Sequence, residues 1–299
     1  MKKSFILSLI LAVPVLFSCQ KGADVSSVPA DGRIRFDAGG PAILSEVTTR
    51  ADVVNAASLN SSGFNVTATT GSAGSESLVT GFSSVAFTKG ATYFEADKWW
   101  PSTNPSYHFY SANSAITFAA AGCTVSANAA NDVVCAYMPS PSYLSPNTLS
   151  FVHIFARVGS CTVTAVDGYT ISGVSVSITP KTSGTYNIRT GNGSIDGTGW
   201  SSTSNGSAVG IANATPGMKS NDVWLVPGSY DLTVTWTATK DNYSYTFSNR
   251  TVNVALQGGK VNNISLGLTG DADKIQFSVS VADWGTNAID AGTVEASRS

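Results

Sequence analysis

Alternation of apolar and polar residues is the dominant pattern along this chain. Arg33-Ile34-Arg35-Phe36-Asp37 sets Ile34 and Phe36 on one side of a strand and the charged residues on the other. Ala38-Gly39-Gly40-Pro41 ends that strand, and a polar run, Ser45 to Thr49, leads to a lone basic residue, Arg50. The cleanest alternation lies near the other end: Ile275, Phe277, Val279 and Val281 share one face, against Gln276, Ser278, Ser280 and Ala282. Between these two stretches the chain reads as short strands. They include Gly63 to Ala68, Ser84 to Thr88, Ala91 to Phe94 and the aromatic-rich Ser106 to Ser111. Residues Leu149 to Val163 read as one long apolar strand, and Tyr169 to Ile178 as a strand with a slip at Gly173. A meander then runs from Val223 to Leu268. Asp52 to Leu59 predicts one or two helical turns, and the Gly-, Ser- and Thr-rich stretch Gly184 to Ser207 predicts a long surface loop.

Two other segments change the picture. Lys2 and Lys3 precede an apolar run, Phe5 to Phe17, too short to span a bilayer as a helix. It ends in Leu16-Phe17-Ser18-Cys19, which resembles the lipobox of bacterial lipoproteins, where the segment is removed and the cysteine carries lipid. A plain secretory signal is the alternative. Pro139, Pro141 and Pro146 interrupt regular structure and mark the expected domain boundary.

Composition fits an exported, sheet-rich protein: only 12% of residues are charged, and 28 glycines accompany abundant Ser, Thr and Asn. A net charge of −2 leaves no footprint for nucleic acid. Beyond Cys19, Cys123, Cys135 and Cys161 remain, so one is unpaired or all are buried thiols; Cys123 and Cys135 flank a candidate hairpin and form a possible disulfide. Both histidines, His108 and His153, sit in apolar-aromatic runs without a cysteine at ligand spacing, so no metal site is expected. No catalytic motif or cofactor loop emerges, and nothing calls for an enzyme.

Several of these parts, in this order, resemble the fimbrillins of Bacteroidetes. They are the lipobox, the strand before Thr49-Arg50-Ala51, the Trp100-Pro101 corner, the Phe151 to Val158 strand and the closing Ile275 to Val279 with Trp284. The resemblance implies an all-β fold of two tandem β-sandwich domains, transthyretin-like. The expected division is a signal peptide at 1–18, a leader strand and cleavable linker at 19–50, and domains at 51–146 and 147–299. It implies an outer-membrane lipoprotein anchored through Cys19, then a cell-surface pilus subunit that contributes to adhesion. An arginine-specific protease would cut between Arg50 and Ala51, the leader strand carrying Ile34 and Phe36 would leave, and a C-terminal strand of another subunit would fill its groove. The partners are therefore other copies of the chain or related pilins.

Elementary energetics suits that route. Two buried apolar side chains in the leader strand are worth about 3–6 kcal/mol gross, against about 6–12 for Ile275, Phe277, Val279 and Val281 in the closing strand. The tether holds the leader in place at an effective concentration in roughly the mM range until it is cut. The expected donor is Lys274 to Val281, unless that strand completes its own sandwich; the donor is then the tail beyond Trp284. A competing function is a monomeric surface lipoprotein that binds glycan through Trp99, Trp100 and Tyr107.

Overall fold

A computed structural model of the chain describes residues 32–41, 53–119, 122–213, 223–271, 274–283 and 294–295. Cys19, Arg50, Ala51 and Trp284 lie outside the described residues. The first half comprises β1 (Arg33–Gly39), α1 (Ala56–Ser62), β2 (Phe64–Thr70), β3 (Ser77–Leu78), β4 (Val85–Lys89), β5 (Phe94–Trp99), β6 (Tyr107–Ala112), β7 (Thr117–Ala119), β8 (Gly122–Asn128) and β9 (Val134–Met138). The second comprises β10 (Asn147–Ser150), β11 (Val152–His153), β12 (Ala156–Ala165), β13 (Thr170–Ile178), β14 (Lys181–Asn187), α2 (Ile188–Gly191), β15 (Trp200–Asn205) and β16 (Val209–Asn213). It continues with β17 (Val223–Leu225), β18 (Gly228–Lys240), β19 (Tyr243–Leu256), β20 (Lys260–Leu268), β21 (Gln276–Asp283) and β22 (Val294–Glu295). The protein is all-β.

The first sheet runs β10-β1-β5-β4-β2-β6-β9-β11, with β3 on β2. It curls on itself. β1 and β6 are separated by three strands in the sheet, yet the rings of Phe36 and Phe109 meet edge-on at 4.9 Å. The enclosed core is aromatic: Phe36, Phe64, Phe82, Phe87, Phe94 and Phe109 are all buried. The second core lies between the sheets β17-β12-β20-β21-β22 and β16-β13-β18-β19. It forms because alternation in each strand turns one row inward: Val158, Cys161, Val163, Ile264 and Leu266 from one sheet, Val176, Ile178, Leu232, Val234 and Trp236 from the other. Gly173, at φ +59°, sits within the register shift between Ser172 and Ser175 and keeps Ile171, Val174, Val176 and Ile178 all on the core.

A third sheet, β15-β14-β8-β7, draws strands from both sides of the proline-rich stretch; β8 pairs antiparallel with β14 from Thr124↔Asn187 to Asn128↔Ser183. Under it lies a third core containing Tyr110, Val125, Phe155, Tyr186, Ile188 and Trp224. Backbone hydrogen bonds and burial thus tie the residues before Pro139 to those after Pro146.

Three local expectations change. The single strand over Leu149 to Val163 is three pieces: β10 pairs β1, β11 pairs β9, and β12 pairs β17 and β20. Its continuous apolarity reflects Leu149, Phe151, Ile154 and Phe155 entering different cores as the chain crosses between them. The surface loop at Gly184 to Ser207 is largely the paired strands β14 and β15 around α2. The hairpin between Cys123 and Cys135 does not form, because β8 joins β7 and β14 while β9 joins β6 and β11. Accordingly the possible Cys123–Cys135 bond is absent, and both residues, with Cys161, are free buried thiols. The expected helical turns appear slightly later as α1. Asn55 caps it, its side chain accepting from Ser58 N at 3.0 Å while Ser58 Oγ accepts from Asn55 N at 2.8 Å.

Candidate functional site

β1 is an interior strand. Along one edge it pairs antiparallel with β5 (Arg33↔Trp99, Arg35↔Glu95, Phe36↔Phe94), and along the other parallel with β10 (Phe36↔Asn147, Ala38↔Leu149). Ile34 and Phe36 are fully buried. The Phe36 ring stands edge-on to Phe87 at 5.0 Å and to Phe109 at 4.9 Å, with Phe64 at 6.5 Å. On the outer face Arg35 Nε donates to Glu95 Oε1 at 2.7 Å, the Arg33 guanidinium lies 3.7 Å from Glu95 Oε2, and it sits 5.4 Å from the centre of the Trp99 ring.

Some contacts that hold the walls around β1 do not involve it, although β10 pairs with no other strand among the described residues. Asn147 fixes the start of β10: its Oδ1 accepts from Ser142 N at 2.7 Å, and its Nδ2 donates to the carbonyls of Ser142 and Ser145. Tyr143 Oη donates to Pro101 O, and its ring meets Trp100 edge-on. β5 is fastened to β4 through Thr88↔Glu95 and Lys89↔Phe94. Taking β1 away would therefore leave a slot with an open hydrogen-bonding edge on each side and an aromatic floor.

The closing strand sits in its own sheet. β21 pairs with β20 from Gln276↔Gly267 to Asp283↔Lys260; its other neighbour is the two-residue β22. Ile275, Phe277 and Val279 pack against the second core but are only half-buried, and Val281 is half-buried as well. Among the described residues, only the short β22 lies beyond this strand in the sheet, which leaves its apolar row partly open.

The glycan platform proposed from Trp99, Trp100 and Tyr107 is not formed. Trp100 is buried, stacked on Tyr107 at 5.9 Å; only Trp99 presents a substantially open face, at 46% exposure. The cleft by Pro41, Val152, Ile195 and Gly258 is lined by no Trp, Tyr or Phe. His108 lies between Tyr137 Oη and Gly71 O, at 3.1 and 2.9 Å. The Nδ1 of His153 meets the buried Asp132 carboxylate at 2.8 Å, and Asp132 Oδ2 accepts from Val54 N. Both arrangements join segments of the fold.

Sequence reading missed two charged residues that matter here. Glu95 gathers the two arginines of β1. Glu76, almost fully buried, accepts from Thr69 Oγ1 at 2.9 Å and Tyr110 Oη at 2.5 Å, and pairs with Arg189 at 3.2 Å. Burial and the Glu76 carboxylate both push the Tyr110 hydroxyl well above its ordinary pKa. Arg189 belongs to α2, so this cluster fastens β2 and β6 to the second half of the chain. No local motif marks either glutamate; only strand register brings their partners together.

The architecture is that of an all-β protein whose sheets pack as sandwiches. Among solved structures it is similar to a fimbrial protein from Bacteroides vulgatus, with 14% identity, 84% of this chain and 99% of that chain covered, and a TM-score of 0.52. A "putative cell adhesion protein" from Parabacteroides distasonis covers 87% of this chain and 99% of its own at 9% identity and a TM-score of 0.49. A fimbrial assembly protein from the same species covers 83% and 94% at 10% identity and 0.35. No family model and no curated protein matches the chain. The likeness to the Bacteroides vulgatus structure is one of fold.

Proposed function

We propose that this chain is a structural subunit of a cell-surface fimbria that contributes to adhesion. It is exported as an outer-membrane lipoprotein lipidated at Cys19, cut between Arg50 and Ala51 by an arginine-specific protease, and polymerised by strand exchange with other copies or related pilins. The observation that carries this reading is the position of β1. It is an interior strand, hydrogen-bonded on both edges, yet it precedes the body and connects to it through a linker containing a lone arginine. While tethered, it fills its slot as an intramolecular strand. Once the linker is cut the advantage disappears, and a C-terminal strand of another copy can replace it by β-augmentation. Such a contact is head-to-tail and does not close on itself, so repetition gives a fibre.

The test is treatment of the purified full-length chain with an arginine-specific protease, followed by electrophoresis without boiling. A ladder of multimers is expected, with Ala51 as the new N-terminus by mass spectrometry. Arg50→Ala should stay folded and give no ladder. A cut chain that remains monomeric would overturn the proposal.

A further inference from the structure

The leader strand and the start of the closing strand share a four-residue pattern. Arg33-Ile34-Arg35-Phe36 and Lys274-Ile275-Gln276-Phe277 both read cation, isoleucine, polar donor, phenylalanine. Such a match alone means little. It gains meaning because each of the four positions in β1 has a distinct partner in the slot. Resting on the strand-exchange reading above, we propose that the closing strand of a second copy enters the slot in one register: Lys274 at Arg33, Ile275 at Ile34, Gln276 at Arg35, Phe277 at Phe36 and Val279 at Ala38.

Phe277 fits that register better than it fits home. The two strand edges of the slot have to offset what the strand gives up: the eight-residue pairing with β20 and the contacts of Ile275, Phe277 and Val279 with the second core, which are the case for a donor beyond Trp284. Phe277 is half-buried in its own sheet, whereas the position of Phe36 is fully enclosed by Phe64, Phe87 and Phe109. Moving an apolar ring from partial to full burial is favourable. The charges match too. Departure of β1 takes both arginines from Glu95, whose side chain is only 31% exposed. Lys274 would restore a cation beside Glu95 and over Trp99, and the Gln276 amide would supply a donor at the Arg35 position. At home Lys274 pairs with Asp271 at 3.2 Å, 72% and 44% exposed, so leaving that pair costs little. Finally, the slot offers an edge on each side, from β5 and β10, whereas among the described residues β21 has β20 on one side and only the short β22 on the other.

The slot also dictates where the match ends. Val281 would fall at Gly40, where φ is +93° and an added Cβ would lie 2.6 Å from Ser150 Oγ and 2.7 Å from the Phe151 backbone. A β-branched residue cannot occupy that point. The donor must leave the slot before Val281, so Ile275 and Phe277 anchor it and Val281 does not.

Two measurements on the full-length chain, cut by an arginine-specific protease, test this. A chain carrying Trp99→Cys and Lys274→Cys, mildly oxidised after the protease is removed, should give covalently linked multimers; Trp99→Cys with Ser280→Cys should give none. The native thiols at 123, 135 and 161 are buried and stay out of the reaction, and Cys19 belongs to the excised leader, which is removed together with the protease before oxidation. In parallel, an excess of synthetic peptide spanning residues 274–281 should abolish the ladder of the unmodified chain. The peptide with Phe277→Asp should lose that effect, and the peptide with Val281→Asp should keep it. Because the variants are in the peptide, the fold of the chain itself is unaffected. Multimers that form but cross-link through the Ser280 pair, or resist the peptide, overturn this register and leave strand exchange standing. A cut chain that never multimerises overturns both.

Discussion

The three buried cysteines carry a measurable pH signature. Burial pushes the thiols of Cys123 and Cys161 from 9.0 to about 12, with the Glu76 carboxylate adding to the rise at Cys123 and Arg189 opposing it. Burial also pushes Tyr230 up to about 12, and raises Cys135, Tyr110 and Tyr186 further. All of these groups are neutral in both states below about pH 9, so their contribution to stability is fully present there. As pH rises from 9 towards 12, the unfolded thiols ionise while the folded ones stay protonated. The unfolded chain then binds fewer protons, and stability falls. Urea denaturation at a series of pH values should show a midpoint that is level up to about pH 9 and declines steadily above it. A midpoint unchanged up to about pH 11 would contradict the assignment of these thiols and phenols to the interior.

At the scale of elements, β1 concentrates its hold on the fold in one ring. Phe36 touches aromatic side chains from β2, β4 and β6 across the core, while Arg33 and Arg35 add partly buried contacts to Glu95. Phe36→Ala should therefore destabilise the uncut chain by about 3–5 kcal/mol, as expected for emptying a filled aromatic site. Arg35→Ala should cost about 1 kcal/mol or less, since its partner is partly solvated. Chemical denaturation of the two variants beside the unmodified chain checks the contrast. Equal losses would show that the strand is held by its outer charges rather than by burial.

At the scale of the whole molecule, the residues on either side of the proline-rich stretch from Met138 to Asn147 should unfold together. The β8–β14 pairing, the shared third core and the Glu76–Arg189 pair all couple the residues on either side of it. The expected calorimetric result is one cooperative transition for the full-length chain. Glu76→Gln should lower that transition as a unit, by about 2–3 kcal/mol, because it weakens hydrogen bonds to a charged, buried acceptor. Two resolved transitions, or one half of the endotherm shifting alone, would refute the coupling.

What the sequence by itself determined is local. Alternation told which side chains of β1, β13 and β21 share a face, because the two-residue period of a strand is a property of the backbone. Ile34, Phe36, Ile171, Val174 and Val176 are accordingly buried. Glycine and proline marked the strand ends around residues 38–41 and the break at 139–146. What only the tertiary structure decided is which strands meet. Cys123 and Cys135 are twelve residues apart, yet their strands join different sheets. Leu149 to Val163 is rich in apolar residues because it serves several cores in turn, a pattern that cannot be told from one buried strand by periodicity. Glu95 finds Arg33 and Arg35 only through the register of β5 on β1, and Glu76 finds Arg189 only when two distant segments pack. Pairing is a non-local choice, settled by how many faces can be covered at once, and a single strand carries no record of it.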